Sequence, residues 1–426
     1  MMYATMKKNV KWMAIALMMA IATVGCESSS SIAESNPDEP VIGEDNVRRN
    51  LVLTDVQKTM VNESNGFAFN LFRQIASDKS EIVSPISITY ALGMLNNGAA
   101  GETQAQINKV LGFSETGAQG INEFCQKMLA EAPKLDKLTK VMIANNIYFN
   151  SDKGYVLNPD FVSKAKQYYE ADVENRSFTD GQTMNVINQW ASDHTEKMID
   201  KVLDENSFNP DAVSYLLNAI YFKGAWAEKF DKNNTVNEDF TVGTQKKQVP
   251  MMCQENKFPY TEDELCQALR LPYGNRAYSM TLFLPREGKT INDVVQSLTP
   301  QMWESRYRWM DEATVNVKLP RFESKSDLNL NKIMATLGMP NAFDANLAEF
   351  PNFCSRDIYI DLMKQVAKIK LNEEGTEAAA VTVIGVDLAL APMPLYVNFH
   401  ATRPFLYVIS EISTGAIFFI GQYMGD

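Results

Sequence analysis

Histidine is nearly absent: in 426 residues only His194 and His400 occur. There is no G-x-S-x-G elbow, no G-x-G-x-x-G or Walker loop and no H-E-x-x-H pair. One S-x-x-K pattern exists (Ser163, Lys164, Ala165, Lys166), but no K-T-G element accompanies it, and it reads as a solvated helix face. His194 falls in the helical pattern "INQWASDHTEKMI" as a surface residue. With the usual nucleophiles and bases missing, no enzyme is expected. Cysteine is scarce as well. Cys125, Cys253, Cys266 and Cys354 form no C-x-x-C and no Cys/His cluster, so no metal site or cofactor is expected. Cys253 and Cys266 flank a plausible hairpin, and the spacing leaves open whether they pair or stay free thiols.

Positive charge is also short, with 40 Lys and Arg against 52 Asp and Glu and a net charge of −12. Three of those lysines, Lys7, Lys8 and Lys11, belong to the first 25 residues, so the remainder is more acidic still. Binding to a nucleic-acid backbone needs clustered cations and is excluded. An apolar run occupies residues 12–24, preceded by those lysines and followed by Gly25 and Cys26. This is the layout of a signal segment over residues 1–25. The small residue before Cys26 matches a lipoprotein signal in which the cysteine takes the lipid. Thr23 stands where such signals commonly carry leucine, and an ordinary signal with an incidental cysteine is the alternative. Residues 26–52 are polar and acidic, the composition of a disordered tether, and a body of 53–426 follows. The plan predicts an exported protein on a bacterial, outer-membrane surface, facing the periplasm or the exterior, with secretion as the alternative.

In the body, "NGFAFNLFRQIA" sets Phe69, Phe72 and Ile75 on one helical face, and "PISITYALGMLNNGA" continues in helical period. "AIYFKGAW" and "VMIANNIYF" are nearly continuous apolar runs, as in strands buried on both faces. "SMTLFLP", "VNVKLP" and "AKIKL" alternate with period two, as in half-buried strands. Helical sequence comes first and strands dominate from about Tyr215, an α+β arrangement in one large unit.

One stretch stands apart: "LNEEGTEAAAVTVIGVDLALAPMPLY", residues 371–396. Between Ala378 and Tyr396 its one charge is Asp387. It is too short and too interrupted to cross a membrane, and left exposed it is an aggregation hazard. A strand already buried, or one waiting to be buried, resolves the conflict. Every second residue from Thr376 (Thr376, Ala378, Ala380, Thr382, Ile384, Val386, Leu388) is small or apolar. Glu377 and Asp387 both fall in the other set, so period two alone puts both charges on an outward face.

"LNEEGTEAAAVT" resembles the hinge of the serpin family. The likeness covers about residues 65–424, through "SPISITYALGMLNNGAAGET", "LLNAIYFKGAW", "LPYGNRAYSMTLFLP", "LPRFESKSDLNLNKIMATLGM" and "RPFLYVI" in family order. It implies an α+β serpin fold of three β-sheets with about nine helices and an exposed reactive loop. It further implies a monomeric suicide-substrate inhibitor whose cleaved loop enters the main sheet while still esterified to the protease. Fourteen inserted residues move the protease roughly 50 Å. The hinge residues are Glu373, Gly375, Thr376, Ala378, Ala379 and Ala380, and the sheet-opening residues are Ser84, Ser87, Asn218 and Gln365. Gln365 stands where serpins commonly carry histidine; it can hydrogen-bond Asn218, Ser84 or Ser87 but cannot titrate. Thr195–Ile199 departs mildly from the family's T-x-G-K-I. Counting from Gly375 puts the reactive bond at Ala389–Leu390; counting back from Phe399 lands at Met393 and Pro394. No Arg or Lys occurs between Glu377 and Arg403, so elastase- or subtilisin-like serine proteases, or papain-like cysteine proteases, are the expected partners. A non-inhibitory binding or carrier member of the family is the alternative.

Overall fold

Thr54 opens the first helix, α1 (Asp55–Ile75), with a capping box: its Oγ1 accepts from the Gln57 N–H at 3.2 Å, and its own N–H donates to Gln57 Oε1 at 3.1 Å. Phe69, Phe72 and Ile75 are buried on its inner face. After the short strand β1 (Glu81–Val83), helix α2 (Pro85–Asn96) is buried on every side. That explains its lack of a polar stripe: α1, α3 (Gly101–Leu111), α4 (Gly117–Glu131) and α5 (Pro159–Tyr169) all pack around it. Helix α6 (Thr183–His194) follows strands β2 (Thr139–Asn150) and β3 (Asp172–Arg176).

From β4 (Ser214–Ala225) onward strands dominate: β5 (Val236–Val242), β6 (Gln245–Glu262), β7 (Cys266–Pro272), β8 (Tyr278–Pro285), β9 (Asp311–Pro320) and β10 (Phe322–Asn329). Helices α7 (Ile291–Ser297), α8 (Pro300–Met302) and α9 (Asn331–Leu337) interrupt them. Last come β11 (Leu362–Asn372), β12 (Gly375–Thr376), β13 (Tyr396–His400), β14 (Phe405–Glu411) and β15 (Ile417–Tyr423). This computed structural model describes residues 46–113, 116–376 and 395–426. The signal segment and Cys26, the hinge residues Ala378, Ala379 and Ala380, and the candidate reactive residues Ala389, Leu390, Met393 and Pro394 lie outside the described residues.

The main sheet has six strands in the order β10-β11-β12-β4-β2-β3, with β11 also pairing β4 directly. Its residues alternate between two layers. Leu216, Ile220, Ile147, Met363 and Ala367 join the large core that also holds α2, while Leu217, Tyr215, Tyr148 and Val366 pack with Trp190 and Ile187 of α6. The other described strands form one network of nine, β1-β15-β14-β8-β7-β6-β9-β13, with β5 beside β6. The 18-residue β6 pairs with β5 at its start and β7 at its end, so the two smaller sheets expected from the likeness are continuous through it.

Two expectations need correction. "SMTLFLP" is not half-buried, since every residue of β8 is buried. Ser279 and Thr281 supply the polar half of the alternation, and their small hydroxyls fit under a second layer where a charge would not. The body also begins before Leu53. Leu51 is buried and donates its N–H to Ser413 Oγ at 3.0 Å, and Asn46 Nδ2 donates to Asp136 Oδ1 at 2.9 Å. Residues 46–52, assigned to the tether, thus lie against the fold. All described elements fall within the compact unit Pro40–Asp426.

Candidate functional site: the hinge and the parting line of the main sheet

Strands β11 and β4 run parallel and paired from Leu362↔Tyr215 to Lys368↔Tyr221. Beyond that point they are parted by their own neighbour in sequence. The chain turns at Glu373 and Glu374, and β12 comes back between them, antiparallel to both: Leu371↔Thr376 and Asn372↔Gly375 on one side, Gly375↔Ala225 and Thr376↔Gly224 on the other. Two residues therefore already occupy the slot between the central strands.

Gly375 is dictated by that slot. Its φ is +140°, and a Cβ there would stand 2.1 Å from the Gly224 carbonyl oxygen and 2.8 Å from Ala225 Cα. Thr376 is fully buried and its Oγ1 lies 2.8 Å from the Tyr273 hydroxyl. Tyr273 in turn stacks on Trp226, with ring centroids 4.5 Å apart. The turn itself is tied down by its backbone: Phe230 N–H donates to the Glu373 carbonyl at 3.0 Å and Trp226 N–H to the Glu374 carbonyl at 2.9 Å.

The two glutamates at the turn face opposite sets of cations. Glu373, buried, accepts from Thr235 Oγ1 at 2.6 Å and from the Arg321 guanidinium. Glu374 sits between Lys229 at 3.1 Å and Lys232 at 2.8 Å. Burial alone would raise the Glu373 carboxyl; the hydrogen bonds from Arg321 and Thr235 outweigh it and hold the group below its ordinary range. Burial likewise opposes Lys232 and Lys229 at Glu374, and the lysines prevail.

Further down the same line lies a buried polar row. Gln365 of β11 is in register with Asn218 of β4, which is in register with Asn145 of β2. Gln365 Nε2 donates to Asn218 Oδ1 at 2.6 Å and to the Ser84 carbonyl at 3.1 Å, while its Oε1 accepts from the Ser84 N–H at 2.9 Å. Asn218 Nδ2 donates to Ser87 Oγ and, at 2.8 Å, to Asn145 Oδ1; Ser84 Oγ donates to the Phe418 carbonyl at 2.7 Å. All four expected sheet-opening residues therefore meet, bridging the start of α2 to β11 and β4. Each bond broken there leaves a buried polar group costing about 1–3 kcal/mol unless it finds a new partner. No member titrates near neutral pH.

Sequence reasoning missed Asn145, Tyr273, Thr235, Arg321, Lys229 and Lys232. Asn145 alone left a signal, as part of an asparagine pair inside an apolar run; the others are brought in by register. Elsewhere, Ser163 and Lys166 are exposed on α5. His194 Nδ1 lies 2.8 Å from the Trp190 carbonyl one helical turn earlier. Cys253 and Cys266 are free thiols: Cys253 faces Lys318 of β9, Cys266 faces Pro285 of β8, and they share no register position. No described helix is long and apolar enough to cross a membrane.

Comparison with known proteins gives the same picture. Residues 62–425 match the family model described as Serpin (serine protease inhibitor). Serpin B6 of Macaca fascicularis is 32% identical over 372 residues, covering 85% of this chain and 98% of its own. Leukocyte elastase inhibitor of Homo sapiens is 32% identical, covering 84% and 97%. Among solved structures, the thermophilic serpin Tengpin in its native state superimposes with a TM-score of 0.79 at 29% identity, covering 89% of this chain and 97% of its own.

Proposed function

The chain belongs to the serpin family, and from that membership we propose that it inhibits serine proteases as a suicide substrate, at a membrane to which a lipid on Cys26 holds it. The observation that carries this reading is the start of a strand between β11 and β4. If the two registers of β12 were extended in step on insertion, each later inward residue would meet one partner on either side: Ala378 would meet Ile369 and Phe222, Ala380 would meet Ala367 and Ile220, and Thr382 would meet Gln365 and Asn218. The small side chains are the ones that must slide past packed core, and the hydroxyl of Thr382 arrives where the polar row is parted.

In this mechanism the protease serine attacks the carbonyl carbon of the reactive residue, the peptide bond breaks, and the new amine leaves with the C-terminal piece. Insertion then replaces the parallel β11–β4 pairing with two antiparallel pairings. It carries the ester-linked protease away before water cleaves the ester, and distortion of its catalytic geometry stalls that step. The register supports Ala389 over Met393. Val386 would reach Ser214, the first residue of β4, so a loop cut after Ala389 fills the slot. Leu388, Ala389 and Leu390 suit elastase- or subtilisin-like pockets, and Leu388 suits a papain-like one.

A denaturing gel of residues 27–426 mixed with an elastase, a subtilisin and a papain-like protease tests the proposal. A covalent band at the summed mass, with peptide 390–426 released, is the expected result, and Thr376→Arg should convert the inhibitor into a cleaved substrate. Cleavage with no covalent band for any protease would instead assign the chain to the non-inhibitory, carrier branch.

A further inference from the structure

Residues 46–53 lie on the body as a strap with two sides. Leu51 and Leu53 turn inward, while Val47, Val52 and, at the start of α1, Val56 are 68%, 79% and 57% exposed. Leu51, Leu53 and Lys58 line a groove whose other side is formed by Glu304, Arg308 and Trp309. Trp309 is 71% exposed, whereas Trp190, Trp226 and Trp303 are all buried. The Arg308 guanidinium lies 5.4 Å from the Trp309 ring centre. Lys58 is paired with Asp55 and Arg308 with Glu304, but Arg48 and Arg49 are exposed and form no ion pair among the described residues.

Three exposed valines and two arginines without an ion pair, all within residues 47–56, beside a groove whose far wall carries an outward tryptophan, are unusual in a chain of net charge −12. A solvated surface selects none of these together. An anionic lipid surface selects all of them: tryptophan partitions to the headgroup level, valine enters beneath it, and arginine pairs with lipid phosphate. The face also begins at the first described residues, close in sequence to Cys26. Residues 26–45 reach at most about 70 Å, so a lipid there keeps the face near the membrane and lets a weak contact count through high local concentration.

We propose that this face, formed by residues 47–58 and Trp309, docks on an anionic phospholipid surface and orients the anchored inhibitor. The inference rests on the reading of Cys26 as the lipidated residue, and its test separates the two. The body of residues 27–426 carries no acyl group, so any binding it shows belongs to the face. It is sedimented with phosphatidylcholine vesicles and with vesicles containing about a third phosphatidylglycerol, while tryptophan emission is followed. Binding to the anionic vesicles, reversed by high salt, is expected, with a blue shift that vanishes in Trp309→Phe. The double variant Arg48→Glu/Arg49→Glu, checked to melt like the parent, should bind at least about twentyfold more weakly, each arginine being worth about fivefold at an anionic surface. Equal or absent sedimentation on the two vesicle types, or a blue shift that persists in Trp309→Phe, would overturn the proposal. The anchor is read independently from the mass of the processed N-terminus in membranes: a lipidated Cys26 beside a non-binding body removes the face and leaves the anchor.

Discussion

Lys197 illustrates how a single departure from a family pattern takes physical form. The T-x-G-K-I turn after α6 carries lysine where the pattern has glycine, and Glu196 and Lys197 adopt φ of +48° and +63°. The buried Thr195 holds the turn regardless, donating to the Ala191 carbonyl at 2.7 Å and accepting from the Ile199 N–H at 3.1 Å. A left-handed backbone costs a lysine about 1 kcal/mol, so Lys197→Gly should raise stability by roughly 0.5–1 kcal/mol in urea unfolding. At the hinge turn the residue-level expectation concerns pH. The Glu373 and Glu374 carboxyls are both held below their ordinary value of 4.5. Their ionised forms stabilise the turn fully above 4.5, and that contribution is lost as pH falls through the lower folded values. Unfolding midpoints taken downward from pH 5 should therefore drop less steeply in Glu373→Gln/Glu374→Gln than in the parent, with the two converging in acid.

At the level of elements, the question is what the proposed parting of β11 from β4 would leave behind. Separation breaks the 2.6 Å bond from Gln365 to Asn218, and the two amides are too deeply buried for water to replace it. On the extended register Thr382 enters between them with one hydroxyl that donates to one side and accepts from the other. Thr382→Val keeps the shape and removes that bridge. It should still form the covalent complex but with more inhibitor consumed as cleaved product, seen as a higher stoichiometry of inhibition. Thr382→Lys would bury a charge and should give cleavage alone. Equal stoichiometry for Thr382→Val and the parent would show that the polar row parts without needing the hydroxyl.

For the whole molecule, the proposed mechanism makes the intact fold one of two arrangements of the same strands. On that mechanism insertion would add backbone hydrogen bonds on both edges of a new central strand, each worth about 1 kcal/mol net, so the intact form would persist through a barrier to opening the sheet. Cleavage within the loop by a protease that is not trapped should accordingly raise the urea midpoint of the two-fragment protein well above that of the intact chain. An unchanged midpoint would mean that the loop is not an insertion strand.

How much of this was legible from residues alone depends on the range of the interaction. Period-two alternation from Thr376 to Leu388 and the buried apolar runs of β2 and β4 are local, and spacing along the chain suffices to read them. The small residues of the hinge and the absence of catalytic pairs are likewise properties of composition at neighbouring positions. Full burial of β8 was not legible, because alternation reports chemistry and not the second layer that covers it. The resemblance anticipated that Gln365 reaches Asn218, but the ion pairs of the hinge turn, the hydroxyl contact of Thr376 with Tyr273, and the continuation of the polar row from Asn218 to Asn145 were decided only by the tertiary structure. Each joins strands far apart in sequence through a register that the packing of a whole sheet sets, and no local pattern encodes that register.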